Sequence, residues 1–169
     1  MTEASKAGAS SDLREGDEPI TAEGIEALRA ELEELEGPGR REMAKRIKAA
    51  RELGDLKENA EYHIAKDDQA HFETRIKRLR QRLRKAVVVE ADASAIVFAF
   101  GRTAQVKDME SGKTNTWTLV GATEADPKQG KLSAESPVGR ALRDAPVGED
   151  VKFETPGGMK TYRIEKLLD

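Results

Sequence analysis

Two carboxylates three residues apart, Asp55 and Glu58, stand in the segment Arg51-Glu-Leu-Gly-Asp-Leu-Lys-Glu-Asn-Ala-Glu-Tyr62, between two long basic stretches. Carboxylate oxygens are the donors that a hard cation such as Mg²⁺ prefers. At the start of a helix, side chains three apart project to the same side. Mg²⁺ gives up its waters reluctantly, so two exposed carboxylates would not hold it tightly, and a partner would have to complete the site. A metal brought to within about 4 Å of an existing one could activate water for in-line attack on a phosphodiester. The competing reading is structural, because Asp-Leu-Lys-Glu also fits the capping box that opens a helix.

The charge around this pair is segregated. Residues 37–85 carry fifteen Lys/Arg against eight Asp/Glu, yet residues 52–61 hold four acids and one Lys. An acidic tip on a basic shaft suits a probe that enters an anionic environment and carries negative charge to a cation there. Residues 40–51 have six Lys/Arg and one Glu, and residues 71–85 have seven and one, so mixed-sign pairing is largely absent along each stretch. Nucleic acid or an acidic protein groove is one reading of this excess, and a solvated helix surface is the other. Arg51 and Lys66, within two or three helical turns of the tip, are best placed to hold a phosphate near it.

The elements that position these residues follow from periodicity. Residues 1–18 are poor in large apolar side chains and are expected to be a disordered tail. Thr21 can act as N-cap, with Ile20 and Ile25 as a hydrophobic staple. Ile25, Leu28, Leu32 and Leu35 then follow at the spacing of a narrow helical seam. Gly37-Pro38-Gly39 interrupts it, since Pro38 removes a backbone donor and clashes with the preceding turn. Helical signal resumes at Met43, Ile47, Ala50 and Leu53. The eight-residue step from Leu35 to Met43 amounts to about 80° on an α-helix, which leaves a kinked helix and two separate helices both open. Gly54 suits the C′ position that closes this arm. A second arm from about Asn59 to Lys85 aligns Tyr62, Ala65, Gln69, Phe72, Ile76, Leu79 and Leu83. Residues 19–85 therefore read as an antiparallel helical hairpin with arms of roughly 40 Å.

From Ala86 the period changes to that of strands. Val87–Val89, Ile96–Phe100, Ala104/Val106, Trp117/Leu119, Val151/Phe153 and Tyr162/Ile164 are β-prone. Turns are expected at 110–113, 146–148 and 155–158, and a short helix at Pro137 with Ser136 as N-cap. Residues 86–169 thus form a small, mainly antiparallel sheet domain, and the fold class is α+β.

Composition excludes several classes. The 169 residues have a net charge of −3, the sum of −8 over residues 1–36, +7 over 37–85 and −2 over 86–169. With no Cys there is no disulfide, thiolate metal site or cysteine nucleophile, and a reducing cytoplasm is the expected location. No apolar run approaches a bilayer span and the N-terminus lacks a signal-peptide core, so no membrane partner is expected. His63 and His71 are read as exposed helix residues. No phosphate-binding or dinucleotide-binding glycine motif is present, and no small-molecule substrate is expected. Leu56 is explained by packing across the turn.

The run Gly54-Asp-Leu-Lys-Glu-Asn-Ala-Glu-Tyr-His63, with Ser136-Pro-Val-Gly-Arg-Ala-Leu142 and Thr155-Pro-Gly-Gly158 after it, closely resembles the Gre transcript-cleavage factors of bacterial RNA polymerase. The resemblance covers roughly residues 19–167. It implies a coiled-coil hairpin and an FKBP-like sheet domain. The hairpin would enter the secondary channel of a backtracked polymerase. There Asp55 and Glu58 would help hold a Mg²⁺ shared with the polymerase, and the polymerase would hydrolyse its own transcript. By the same resemblance Arg51 and Lys66 contact the 3′ end of the extruded RNA, and Glu135, Ser136 and Pro137 dock on the polymerase at the channel rim. Glu135 departs from the shorter acid or amide usual before Ser-Pro, and Pro38 lies a couple of residues from the family's usual proline. The resemblance implies a factor that is no nuclease by itself.

Three rivals stand beside this reading. A relative of the same architecture could occupy the channel and inhibit, although inhibition would not need an acidic tip. The sheet domain could be a peptidyl-prolyl isomerase, which would require an aromatic-lined pocket. A plain nucleic-acid-binding coiled coil is the third.

Overall fold

A computed structural model describes residues 13–168. The chain divides into two compact units, one of residues 25–85 and the other of the residues up to Gly24 together with those from Ala86 onward. Of the lead expected to be disordered, residues 1–12 lie outside the described part. Residues 13–17 contain a turn, with the Asp17 amide donating to the Arg14 carbonyl at 3.0 Å.

The helical unit is built from two arms. Helix α1 (Ala22–Glu34) runs through a π-helical turn (Leu35–Gly39) into α2 (Arg40–Arg51), and α3 (Ala60–Lys85) forms the second arm. The Gly37-Pro38-Gly39 question resolves as a continuous path, with Glu34 and Gly39 both in the right-handed helical region and Pro38 inside the π turn. A π turn reaches one residue further than an α turn, and that extra residue accommodates the missing Pro38 donor. It also absorbs one of the eight residues between Leu35 and Met43, bringing the two within about 20° of each other and joining the seams. Leu28, Leu32, Ala50, Ala65, Ile76 and Leu79 are buried along this seam. Leu53 does not continue it and is 70 % exposed, because α2 ends two residues earlier.

Charge on the arms is better paired than the sequence suggested. Arg40 grips Glu73 with both ends of its guanidinium, at 2.9 and 2.7 Å. Arg46–Asp68, Arg75–Glu31 and Arg80–Glu36 are further pairs between the arms. Counting within one stretch misses them, since the partner belongs to the other arm. All are substantially exposed, so they set the register of the arms more than they stabilise them. Arg41, Lys48, Lys77 and Arg78 remain exposed and outside these pairs.

The second unit holds two sheets. Strand β1 (Glu18–Ile20) pairs in parallel with β2 (Ala86–Val88). The larger sheet comprises β3 (Thr103–Asp108), β4 (Thr114–Val120), β5 (Lys131–Ser133), β6 (Asp150–Thr155) and β7 (Gly158–Leu167), in the order β5-β4-β3-β7-β6. All its pairings are antiparallel except β4–β5. Phe98, Leu119, Leu142, Ile164, Ala104 and Val106 form its core. Ile96–Phe100 is not a strand as expected. Val97 makes one isolated bridge to Pro146, and Phe98 is held by backbone bonds to Ala145 and Asp144. Phe98 is fully buried and Phe100 packs against the core, whereas Ile96 is 80 % exposed. Thr21 caps α1, accepting from the Gly24 amide at 3.0 Å, and its own amide and hydroxyl donate to Glu124.

Candidate functional site

The loop between α2 and α3, residues 52–59, carries Asp55 and Glu58. Its closing devices are local. The carbonyls at the end of α2 are taken up by the Glu52 and Leu53 amides. Gly54 follows with φ +145°, a conformation that a side chain would strain. It stands two residues beyond the Glu52 C-cap, later than the C′ place expected for it. Asp55 Oδ1 then accepts from the Lys57 amide at 3.0 Å, closing an Asx turn.

The residue that caps α3 is Asn59. Its Oδ1 accepts from the Tyr62 amide at 3.1 Å, the N-cap to N3 bond that a capping residue supplies. The Asp55–Glu58 capping box is therefore not formed, and α3 begins at Ala60, two residues after Glu58. With the cap supplied by Asn59, the two carboxylates are left exposed and free of that duty. They do not sit on a helix start, as the spacing suggested. They line one shallow depression of about 320 Å³ together with Leu53, Gly54, Asn59, Ala60 and Glu61. Leu56 is 39 % exposed rather than tucked across the turn. Asn59 and Glu61 were not singled out from the sequence. The asparagine could have been read as a cap, being an Asn directly before the helical pattern.

Arg51 and Lys66 flank this loop on the arms. The Arg51 guanidinium lies 5.8 Å from the Tyr62 ring centroid, a cation–π arrangement. Lys66 is one helical turn beyond Tyr62 and so shares its face. Its Nζ donates to Gln69 at 2.6 Å. Both cations remain exposed. His63 is exposed as expected, with Nε2 3.2 Å from the Lys57 carbonyl. His71 is likewise exposed.

Oxygen donors suited to Mg²⁺ are present in Asp55 and Glu58, but they do not make a set. Among the described residues no group of three or more His, Cys, Asp or Glu side chains is arranged to hold a metal. The donor chemistry fits the ion and the donor number does not fill its shell.

Glu135, Ser136 and Pro137 belong to the other unit, at the start of α4 (Pro137–Leu142). Ser136 Oγ accepts from the Gly139 amide at 3.0 Å and donates to the Ser133 carbonyl at 2.7 Å. The hydroxyl is thus engaged in capping, as the local sequence allowed. Glu135 and Pro137 are exposed beside it. Gly139 is obligatory, since a Cβ there would come within 1.9 Å of the Ser133 carbonyl oxygen. The aromatic side chains of this unit are engaged with one another and with the core. Trp117 and Phe153 pack on Tyr162 at centroid distances of 5.6 and 5.1 Å, and Phe98 is fully buried.

Comparison with known proteins gives a consistent result across the chain. The family model described as "Transcription elongation factor, N-terminal" matches residues 18–88, and "Transcription elongation factor, GreA/GreB, C-term" matches residues 93–169. The transcription elongation factor GreA of Nautilia profundicola is 47 % identical over 151 residues, covering 89 % of this chain and 93 % of that protein. The corresponding protein of Alkaliphilus oremlandii is 45 % identical over 149 residues, covering 88 % and 94 %. Among solved structures, the GreA factor homolog 1 protein of Thermus thermophilus is 28 % identical, with 90 % of this chain and 99 % of that chain covered and a TM-score of 0.40. At that score the superposition adds nothing to the fold described above.

Proposed function

We propose, because the chain belongs to the GreA/GreB family of transcription elongation factors, that it acts on RNA polymerase. It inserts the α2–α3 tip through the secondary channel and stimulates hydrolysis of backtracked RNA. The observation that carries this reading is that neither Asp55 nor Glu58 is spent on capping α3. Asn59 caps α3, and the two carboxylates stand exposed around one depression at the end of the hairpin. A capping pair would have its oxygens occupied. Here one Asp55 oxygen accepts from the Lys57 amide, and its other oxygen and the exposed Glu58 carboxylate are available to a cation supplied by something else.

In this reading Asp55 and Glu58 bind and orient, and the polymerase completes the ligand set that the chain lacks. Mg²⁺ bound between the two proteins would supply a Lewis acid and lower the pKa of water for attack on a phosphodiester. Arg51, braced on Tyr62, and Lys66 on the same face neutralise phosphates of the extruded 3′ segment. The cross-arm pairs Arg40–Glu73 and Arg46–Asp68 keep both arms in register behind them. Glu135 and Pro137 contact the polymerase at the channel rim, and Ser136 holds the turn that presents them. No nuclease activity is expected of the chain alone.

The test is a halted, backtracked elongation complex incubated with the purified protein, beside free RNA incubated with the protein only. Shortening of the transcript in the complex, with free RNA intact, is the expected result. Cleavage of free RNA would refute the division of labour. Slower elongation with no shortening would select the channel-occupying inhibitor instead.

A further inference from the structure

We infer that Asn59 is a positioning residue for the acidic pair, acting through a clasp between the two arms as well as through the helix cap. The inference rests on the transcript-cleavage reading above. While Oδ1 accepts from the Tyr62 amide, Nδ2 donates to the Ala50 carbonyl at 2.5 Å, so one side chain ties the last turn of α2 to the first turn of α3. Ala50 is buried and Asn59 half-buried, whereas residues 51–58 are all exposed. Beyond Arg51, the last residue of α2, every residue between the two ends of the clasp, Asp55 and Glu58 included, therefore lies on a loop with no burial of its own. What fixes that loop is the Asx turn at Asp55, the His63–Lys57 contact, the Arg51–Tyr62 stacking and the Asn59 clasp at its base. Of these, only the clasp joins both arms through a side chain with two different hydrogen-bonding ends. Asparagine supplies both an acceptor and a donor. Serine and aspartate, which cap equally well, cannot reproduce the pair of bonds.

Cap and clasp are separable in Asn59→Ser. The serine oxygen accepts from the Tyr62 amide, and the shorter side chain gives up the Ala50 bond. Helicity by circular dichroism and competition for polymerase are expected to match the wild type. At saturating factor, transcript shortening in a backtracked complex should fall about two- to tenfold, the range for one lost hydrogen bond. The Mg²⁺ concentration for half-maximal shortening should rise by a similar factor, and the Lys57 amide should exchange faster with solvent. Wild-type shortening and Mg²⁺ dependence in Asn59→Ser would overturn the inference and leave the functional reading standing. A loss that tracks reduced helicity or weaker polymerase binding would also overturn it, since the residue would then be a cap and no more. Wild-type protein that fails to shorten the transcript would sink the functional reading, and the inference with it.

Discussion

Replacing Asp55, Glu58 and Asn59 one at a time by Ala separates the residues that hold the tip together from those that it displays. Asn59→Ala removes an N-cap, worth about 1 kcal/mol, and a part-buried bond to the Ala50 carbonyl, worth about 1 kcal/mol net. The helical unit should lose about 2 kcal/mol in total. Asp55→Ala removes only an exposed bond to the Lys57 amide, and no hydrogen bond or ion pair of the Glu58 side chain is seen among the described residues. Each of these two should stay within about 0.5 kcal/mol of the wild type. Urea unfolding followed at 222 nm, with linear extrapolation, measures all three. The reasoning fails if Asp55→Ala or Glu58→Ala costs as much as Asn59→Ala, for the two acids would then be the capping box after all.

Three other outcomes follow from the same structure. Gly139→Ala should destabilise the sheet unit by about 2 kcal/mol or more through the clash with the Ser133 carbonyl, seen as a lower thermal midpoint, while Gly112→Ala, in open space at φ +71°, should cost less. The Arg40 hydrogen bond holds the Glu73 carboxyl below its ordinary value of 4.5. The pair's contribution is therefore present above that pH and lost as pH falls through the depressed folded value. Wild-type stability should drop more steeply than that of Glu73→Gln below about pH 4.5 in acid titrations of the unfolding midpoint. Charge reversal at Arg51 or Lys66 should weaken transcript shortening, and the salt dependence of the remaining effect should be shallower than in the wild type.

The hairpin was legible in the sequence because its seam repeats at helical spacing for many turns, and each residue named along the second arm proved at least half-buried. The acidic pair was legible as a departure from the surrounding charge. What was hidden depends on partners far along the chain. Strand β1 is three residues whose mate, β2, begins at Ala86. The cross-arm ion pairs join residues 22 to 44 apart. Pro38 signalled an interruption and left a kinked helix and two separate helices open, and the chain stays continuous through a π turn that rejoins the seam at Met43. Ile96–Phe100 has the composition of a strand, but it makes one isolated bridge and contributes Phe98 and Phe100 to the core without a ladder. The cap at Asn59 was missed because Asp-Leu-Lys-Glu offered the same motif one turn earlier.

The central claim is that the tip contributes negative charge to a cation it cannot hold alone. The direct measurement is the rate of transcript shortening in a backtracked complex with Asp55→Asn/Glu58→Gln at saturating concentration, its polymerase binding checked by competition. Asparagine can still accept from the Lys57 amide, so the tip's shape is kept and only its charge is removed. Shortening should fall to the rate of polymerase alone with binding unchanged. Shortening as fast as with the wild-type protein would contradict the account.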